Sequence, residues 1–201
     1  MSLEDYKRIL EDWCSHLSPE EAMVCAFDRV RDIPYGSTGE RRPLQIIRQN
    51  QGSCSGKHLL LSRLFETLGF KTRIVTCMHY FNDAIPPGNA YPPELMNILE
   101  NERVIDFHHY VLLNQAGNWL KVDATWDAGL KPLGFPVNVP WDGKTDTKIA
   151  VVPVQYYDDT PDLIGLKERL LSQLPPHDRK VRLDFMRYLT QWLESVRNAS
   201  S

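Results

Sequence analysis

The chain has 201 residues, of which 42% are hydrophobic and 24% charged, a globular composition with enough length to bury a core. Its formal charge of −3 and pI near 6.1 call for neither nucleic acid nor an anionic membrane as partner. No apolar run reaches the ~18 residues of a membrane-spanning helix, and the acidic, amphipathic start lacks the basic and apolar regions of a signal peptide.

Apolar residues at Leu3, Tyr6, Ile9, Leu10, Trp13 and Leu17 have helical spacing. Ser18-Pro19-Glu20-Glu21 reads as an N-cap, a proline at the first helical position and acids in the first turn, so a second helix is expected to about Asp32, where Ile33-Pro34-Tyr35-Gly36 breaks it. A loop follows to Pro43, then a short helix over Leu44–Gln49. Ser53 or Cys54 opens the next helix, with Leu60, Leu61, Leu64, Phe65 and Leu68 as its stripe and Gly69 as its terminator.

Lys71–Tyr80 is β-branched enough for a strand. The proline-rich stretch Asn82–Pro93 is a long loop that could shape a substrate cleft, and Glu94–Glu100 a short helix. Val104–Leu113 and Trp119–Asp123 read as a hairpin around the turn Asn114–Asn118. Gly- and Pro-rich loop runs from Asp127 to Thr147, then a strand over Ile149–Tyr156 and helices over Pro161–Leu174 and Asp178–Arg197. Helices followed by mostly antiparallel strands argue an α+β fold. The expected organisation is an N-terminal helical segment (1–24), a core (25–160) and a C-terminal helical extension (161–201).

Four cysteines occur, at 14, 25, 54 and 77, with no C-x-x-C pair. Without an export signal a disulfide framework is not expected, so the thiols are read as reduced and the chain as cytoplasmic. Cys14, Cys25 and Cys77 lie in apolar helix or strand patterns and read as core.

Cys54 differs, because Gly52-Ser53-Cys54-Ser55-Gly56 places it where loop becomes helix. The positive end of a helix dipole favours the thiolate, flanking glycines would let the backbone approach a substrate carbonyl, and the free N–H of Cys54 could meet an oxyanion. Since free cysteine is also among the most buried residue types, this motif alone leaves nucleophile and core residue evenly balanced. In Phe107-His108-His109-Tyr110 two adjacent strand histidines point to opposite faces, so at most one is expected to face the Cys54 helix. Asp123 ends a strand among apolar residues, where a buried carboxylate needs a partner and orienting an imidazole is one such job. Taken singly, the histidines read more readily as structural and the aspartate as a turn or cap.

Together these pieces resemble the transglutaminase-like superfamily of papain-like thiol enzymes. Gly52-Ser53-Cys54 is similar to its G-x-C at a helix start, His108-His109-Tyr110 to its H-x-aromatic, and Val122-Asp123-Ala124-Thr125 to its D-x-T, fifteen positions after the histidine. Leu68-Gly69-Phe70-Lys71-Thr72-Arg73-Ile74-Val75 resembles its helix-to-strand turn, and the likeness runs from about residue 25 to residue 127. The chain departs from the pattern in having Tyr110 where the family often has Trp, and no second oxyanion donor is identifiable.

The resemblance implies a papain-like α+β core, with a central helix carrying the cysteine packed on an antiparallel sheet. It implies Cys54 as nucleophile, His108 as general base and acid, and Asp123 as the group orienting the imidazole. His109 is kept as the alternative to His108. The implied reaction is acyl transfer through a Cys54 thioester: hydrolysis of an amide or peptide bond first, transamidation second. The substrate would be a peptide, a protein or a small amide, with no cofactor.

Two rivals remain open. A metal shell could use Cys54, His58, His108 and Asp123, although His58 reads as a surface or core-edge residue. A non-catalytic interaction module could keep this fold, and the apolar stripe of the C-terminal helices would suit a protein partner.

Overall fold

A computed structural model describes residues 2–37, 39–157 and 162–199. Its helices are α1 (Leu3–Cys14), α2 (Pro19–Arg31), α3 (Pro43–Gln49), α4 (Cys54–Thr67), α5 (Pro93–Asn101), α6 (Leu163–Gln173) and α7 (Pro176–Ala199). Its strands are β1 (Lys71–Tyr80), β2 (Ile105–Gln115), β3 (Asn118–Val122) and β4 (Gln155–Tyr157), in one antiparallel sheet of order β3-β2-β1-β4. The fold is α+β.

Local chemistry sets the element ends. Ser18 caps α2 in a reciprocal box with Glu21, and Pro19 sits where its missing N–H costs nothing. Gly69, at φ +93°, terminates α4 in a conformation that a side chain would strain. The β2–β3 hairpin turns on Ala116 and Gly117, both at positive φ, and its register pairs Val111 with Val122, leaving Asp123 just beyond the strand.

Helix α4 packs on β1 and β2 and is backed by α1, α2 and α3. Leu60, Leu61, Leu64 and Phe65 are fully buried with Phe27, Val30, Val111, Leu113 and Val122, and each such side chain contributes about 1.5–3 kcal/mol. A second cluster joins Cys77 of β1 and Leu95 of α5 to Phe185, Leu189 and Trp192 of α7. The first cluster anchors the start of α4; the second closes over the strands that carry the histidines.

Two expectations need correction. The last strand is only Gln155–Tyr157, not Ile149–Tyr156. Upstream, Lys148 N–H donates to Asn138 Oδ1 and Ala150 N–H to Asp123 Oδ2, and a ladder to β1 is approached no earlier than Val154 N–H, which donates to Met78 O. The reduced-thiol reading fails for one pair, since Cys14 and Cys25 form a disulfide with their Cα atoms 6.0 Å apart. Helices α1 and α2 fold back on each other through a short link, which brings the end of one against the second turn of the other. Cys54 and Cys77 are free and buried. No helix among the described residues is long and apolar enough to cross a membrane. Pro161, the expected start of the first C-terminal helix, lies outside the described residues.

Candidate active site at the start of helix α4

The segment before Cys54 is pinned to the loop that follows α2. Gly52 N–H donates to Pro34 O (3.1 Å) and Gly36 N–H to Gly52 O (3.2 Å). The flanking glycines serve packing here and do not open a path for substrate. A Cβ on Gly52 would lie 2.5 Å from Ile46 Cγ2, and one on Gly56 3.2 Å from Ile46 Cδ1. Helix α3 therefore presses its buried Ile46 against both glycines and fixes where α4 begins. Cys54 occupies the first helical position, where its N–H has no intrahelical partner and the dipole is positive.

His108 and Asp123 meet at the thiol. His108 Nε2 lies 2.8 Å from Asp123 Oδ2, with both side chains buried. That leaves Nδ1 for the Cys54 side of the ring, and the thiol and imidazole interact. Asp123 is held by its own network: Thr125 N–H donates to Oδ1 (2.9 Å) and Ala150 N–H to Oδ2 (2.8 Å). Its backbone N–H donates to Thr147 Oγ1 (2.7 Å). Two loop N–H groups thus hold the carboxylate against the His108 ring, and Thr147 holds the backbone beneath it.

Both histidines reach the thiol, contrary to the expectation that only one could. His109 lies against Cys54 as well, with Nδ1 3.0 Å from Ser55 Oγ. Alternation sets where each Cβ leaves the strand, but the first turn of α4 offers two successive side chains, and the two rings engage both. Asp123 engages His108 and not His109.

His58 is fully buried and is neither a surface nor a core-edge residue. Its Nδ1 donates to Cys54 O (2.9 Å) and its Nε2 accepts from Ala124 N–H (2.8 Å). With Nε2 occupied in this way, its 3.5 Å approach to Asp123 Oδ1 is not an ion pair. Both ring nitrogens are in use, so His58 cannot complete a metal shell with Cys54, His108 and Asp123. No group of three or more metal-ligating side chains occurs among the described residues.

Three charged residues absent from the sequence reading complete the site. Lys167 of α6 places Nζ 4.0 Å from Cys54 Sγ, donates to Phe107 O (2.6 Å) and lies 3.5 Å from Asp106 Oδ2. Arg182 of α7 donates to the other oxygen of Asp106 (2.7 Å). Each interrupts a patterned surface: Lys167 lies one turn from Leu163 on the buried face of α6, and Arg182 on the buried face of α7. A charge inside an apolar stripe is the signal that could have found them. Cys54 is only 3% exposed beneath this cover. The 710 Å³ cavity beside α2, lined by Trp13, Arg31, Asp32 and Ile47 among others, does not include it.

The electrostatics follow from these contacts. Burial alone would raise the Cys54 thiol, but the Lys167 charge and then the His108 and His109 contacts hold it well below the ordinary thiol value. Burial opposes charge on His108, which Asp123 and Cys54 outweigh, so its value is raised. Burial pushes His109 down to about 4 and free Cys77 up to about 12. These contacts favour the charged forms of Cys54 and His108 over their neutral ones and the neutral form of His109.

Lys57, also missed, is a buried tie. Its Nζ donates to Arg31 O, Ile33 O and Thr125 O at 2.8, 2.7 and 2.8 Å, joining the end of α2 to the segment after Asp123. Burial pushes the amine down to about 7, while three carbonyl acceptors call for all three ammonium protons.

No protein-family model matches the chain, and no curated protein sequence does. Among solved structures it is similar to one described as "a Putative Cysteine Protease from Cytophaga hutchinsonii", at 15% identity and a TM-score of 0.47. That likeness covers 80% of this chain and 44% of the other, so the chain spans less than half the length of that structure.

Proposed function

We propose that the protein is a cysteine-dependent acyl-transfer enzyme of the transglutaminase-like type that hydrolyses an amide or peptide bond. Cys54 is the nucleophile, His108 the general acid and base, and Asp123 the residue that orients His108. The observation that carries this reading is the continuous line from Asp123 Oδ2 through the His108 ring, 2.8 Å away, to a thiol at a helix N-terminus whose ionisation is favoured.

In the first half-reaction the Cys54 thiolate attacks the amide carbonyl carbon, and the carbonyl oxygen takes the negative charge. The Cys54 N–H and the α4 dipole stabilise that oxyanion. His108 gives its Nδ1 proton to the departing amine, and the C–N bond breaks to leave a thioester. In the second half, His108 takes a proton from water, the hydroxyl adds to the thioester carbonyl, and the acid leaves as the thiolate returns. An amine in place of water would give transamidation through the same thioester. Lys167 and α6 cover the sulfur, so an acyl group reaches it only when that cover moves aside.

Reaction with p-nitrophenyl acetate, followed by nitrophenol release and intact mass, tests the reading. The expected result is one acetyl adduct on Cys54, absent from Cys54→Ala and formed far more slowly by His108→Ala. A parent protein that never acylates at Cys54 would overturn it.

A further inference from the structure

The buried, fully enclosed His109 carries a nitrogen that the mechanism above does not use. Its Nδ1 meets Ser55 Oγ at 3.0 Å, while its Nε2 has no hydrogen-bond partner. An unpaired polar atom in such a place costs free energy unless something arrives to fill it. The ring lies against Cys54, and Ser55 adjoins Cys54 in the first turn of α4.

We propose that His109 is the second oxyanion donor of this site, using the Nε2–H of a neutral imidazole to receive the charge that develops on the substrate carbonyl oxygen. The inference rests on the reading of Cys54 as nucleophile and deepens it.

The tautomer follows from the surroundings. A bare Nε2 lone pair turned toward a thiolate is repelled, whereas an Nε2–H is attracted. Ser55 then donates its hydroxyl proton to Nδ1 and fixes the proton on Nε2. Burial, with its pKa near 4, keeps the ring neutral and available as a donor at neutral pH. In the tetrahedral intermediate the negative charge passes from sulfur to the carbonyl oxygen beside it. The Cys54 N–H approaches that oxygen from the helix and His109 from the strand, and two convergent donors are the usual composition of such a hole. The roles of the adjacent histidines then separate by environment, as paired catalytic groups do. His108, beside a carboxylate, moves protons; His109, beside a hydroxyl, keeps its own.

Two reactions of one thiol test this. Alkylation by iodoacetamide needs the thiolate but forms no oxyanion. Acylation by p-nitrophenyl acetate needs both. In His109→Leu, with both reactions run at a pH where parent and variant each carry the full thiolate, acylation of Cys54 should fall about 10²-fold while alkylation changes by no more than about threefold. His109→Gln, whose amide can still donate, should recover about tenfold of the loss. Ser55→Ala, which frees the tautomer, should lose acylation by less than His109→Leu. Equal losses in both reactions, or no loss in either, would overturn the assignment. A parent that alkylates at Cys54 but never acylates there would sink the nucleophile reading itself, whereas a parent that acylates as fast as His109→Leu would sink the oxyanion role alone.

Discussion

Asp123 Oδ2 faces His108 Nε2 at 2.8 Å and takes the Ala150 N–H at the same distance. One carboxylate oxygen therefore holds both the imidazole and the segment that a sequence pattern assigns to a strand. Replacing Asp123 by Asn keeps the shape but turns one hydrogen-bond acceptor into a donor facing Ala150 or Thr125. Acylation of Cys54 should fall by about 10²-fold or more, and unfolding in urea should show a loss of about 3 kcal/mol, the scale for breaking a buried charged pair. Unchanged acylation in Asp123→Asn would remove Asp123 from the mechanism.

Lys167 is the largest favourable influence on the Cys54 thiolate. In Lys167→Gln the thiol should titrate at least about one unit higher, with Lys167→Arg keeping most of the parental value, as read from ultraviolet thiolate absorbance. The sign for stability follows. The Cys54 value is depressed in the folded state, so its contribution is complete above the unfolded thiol value of about 8.5 and is lost as pH falls through the lowered value. The His108 value is raised, so its contribution is complete below about 6.5 and is lost as pH rises through the raised value. Lys167→Gln should therefore cost most stability above about pH 8.5, where the unfolded chain also carries the thiolate.

Lys57→Met would leave Arg31 O, Ile33 O and Thr125 O without their common donor. Each buried orphan costs about 1–3 kcal/mol, so the variant should lose about 3 kcal/mol or more in equilibrium unfolding. A loss under about 1 kcal/mol would mean that water or a local shift replaces the tie.

Gly52→Ala puts a methyl group 2.5 Å from Ile46 Cγ2. Overpacking of this kind costs about 1–3 kcal/mol. Because the strain falls two residues before Cys54, acylation should slow as well. Adding Ile46→Ala should restore much of the acylation rate even though it opens a cavity, and a double variant as slow as the single one would show that Ile46 is not the obstacle.

The legible parts of the chain were those written by local chemistry. The box at Ser18–Glu21, the stripe from Leu60 to Phe65 and the β-branched run Lys71–Tyr80 reproduce α2, α4 and β1 to within a residue or two. Cys54, His108 and Asp123 stood out in the sequence through the family pattern their order and spacing resemble, since each alone read as readily as a core, structural or turn residue. What was not readable depends on contacts far along the chain. Lys167 is 113 positions from Cys54, and Arg182 is 76 from Asp106. The glycines around Cys54 suggested open approach, whereas Ile46 occupies the space beside them. The Cys14–Cys25 bridge was missed because the thiols were read as reduced for want of an export signal and each cysteine fits its own helix pattern, whereas the packing of α1 on α2 brings the two together.

The most direct test of the account is the pH titration of the Cys54 thiolate, read as the ultraviolet difference between the parent and Cys54→Ser, which cancels the Cys77 background. The account predicts a midpoint below the free-thiol value of about 8.5, moved upward by His108→Ala. A midpoint at or above 8.5 that ignores His108 would contradict it and leave Cys54 an ordinary buried cysteine.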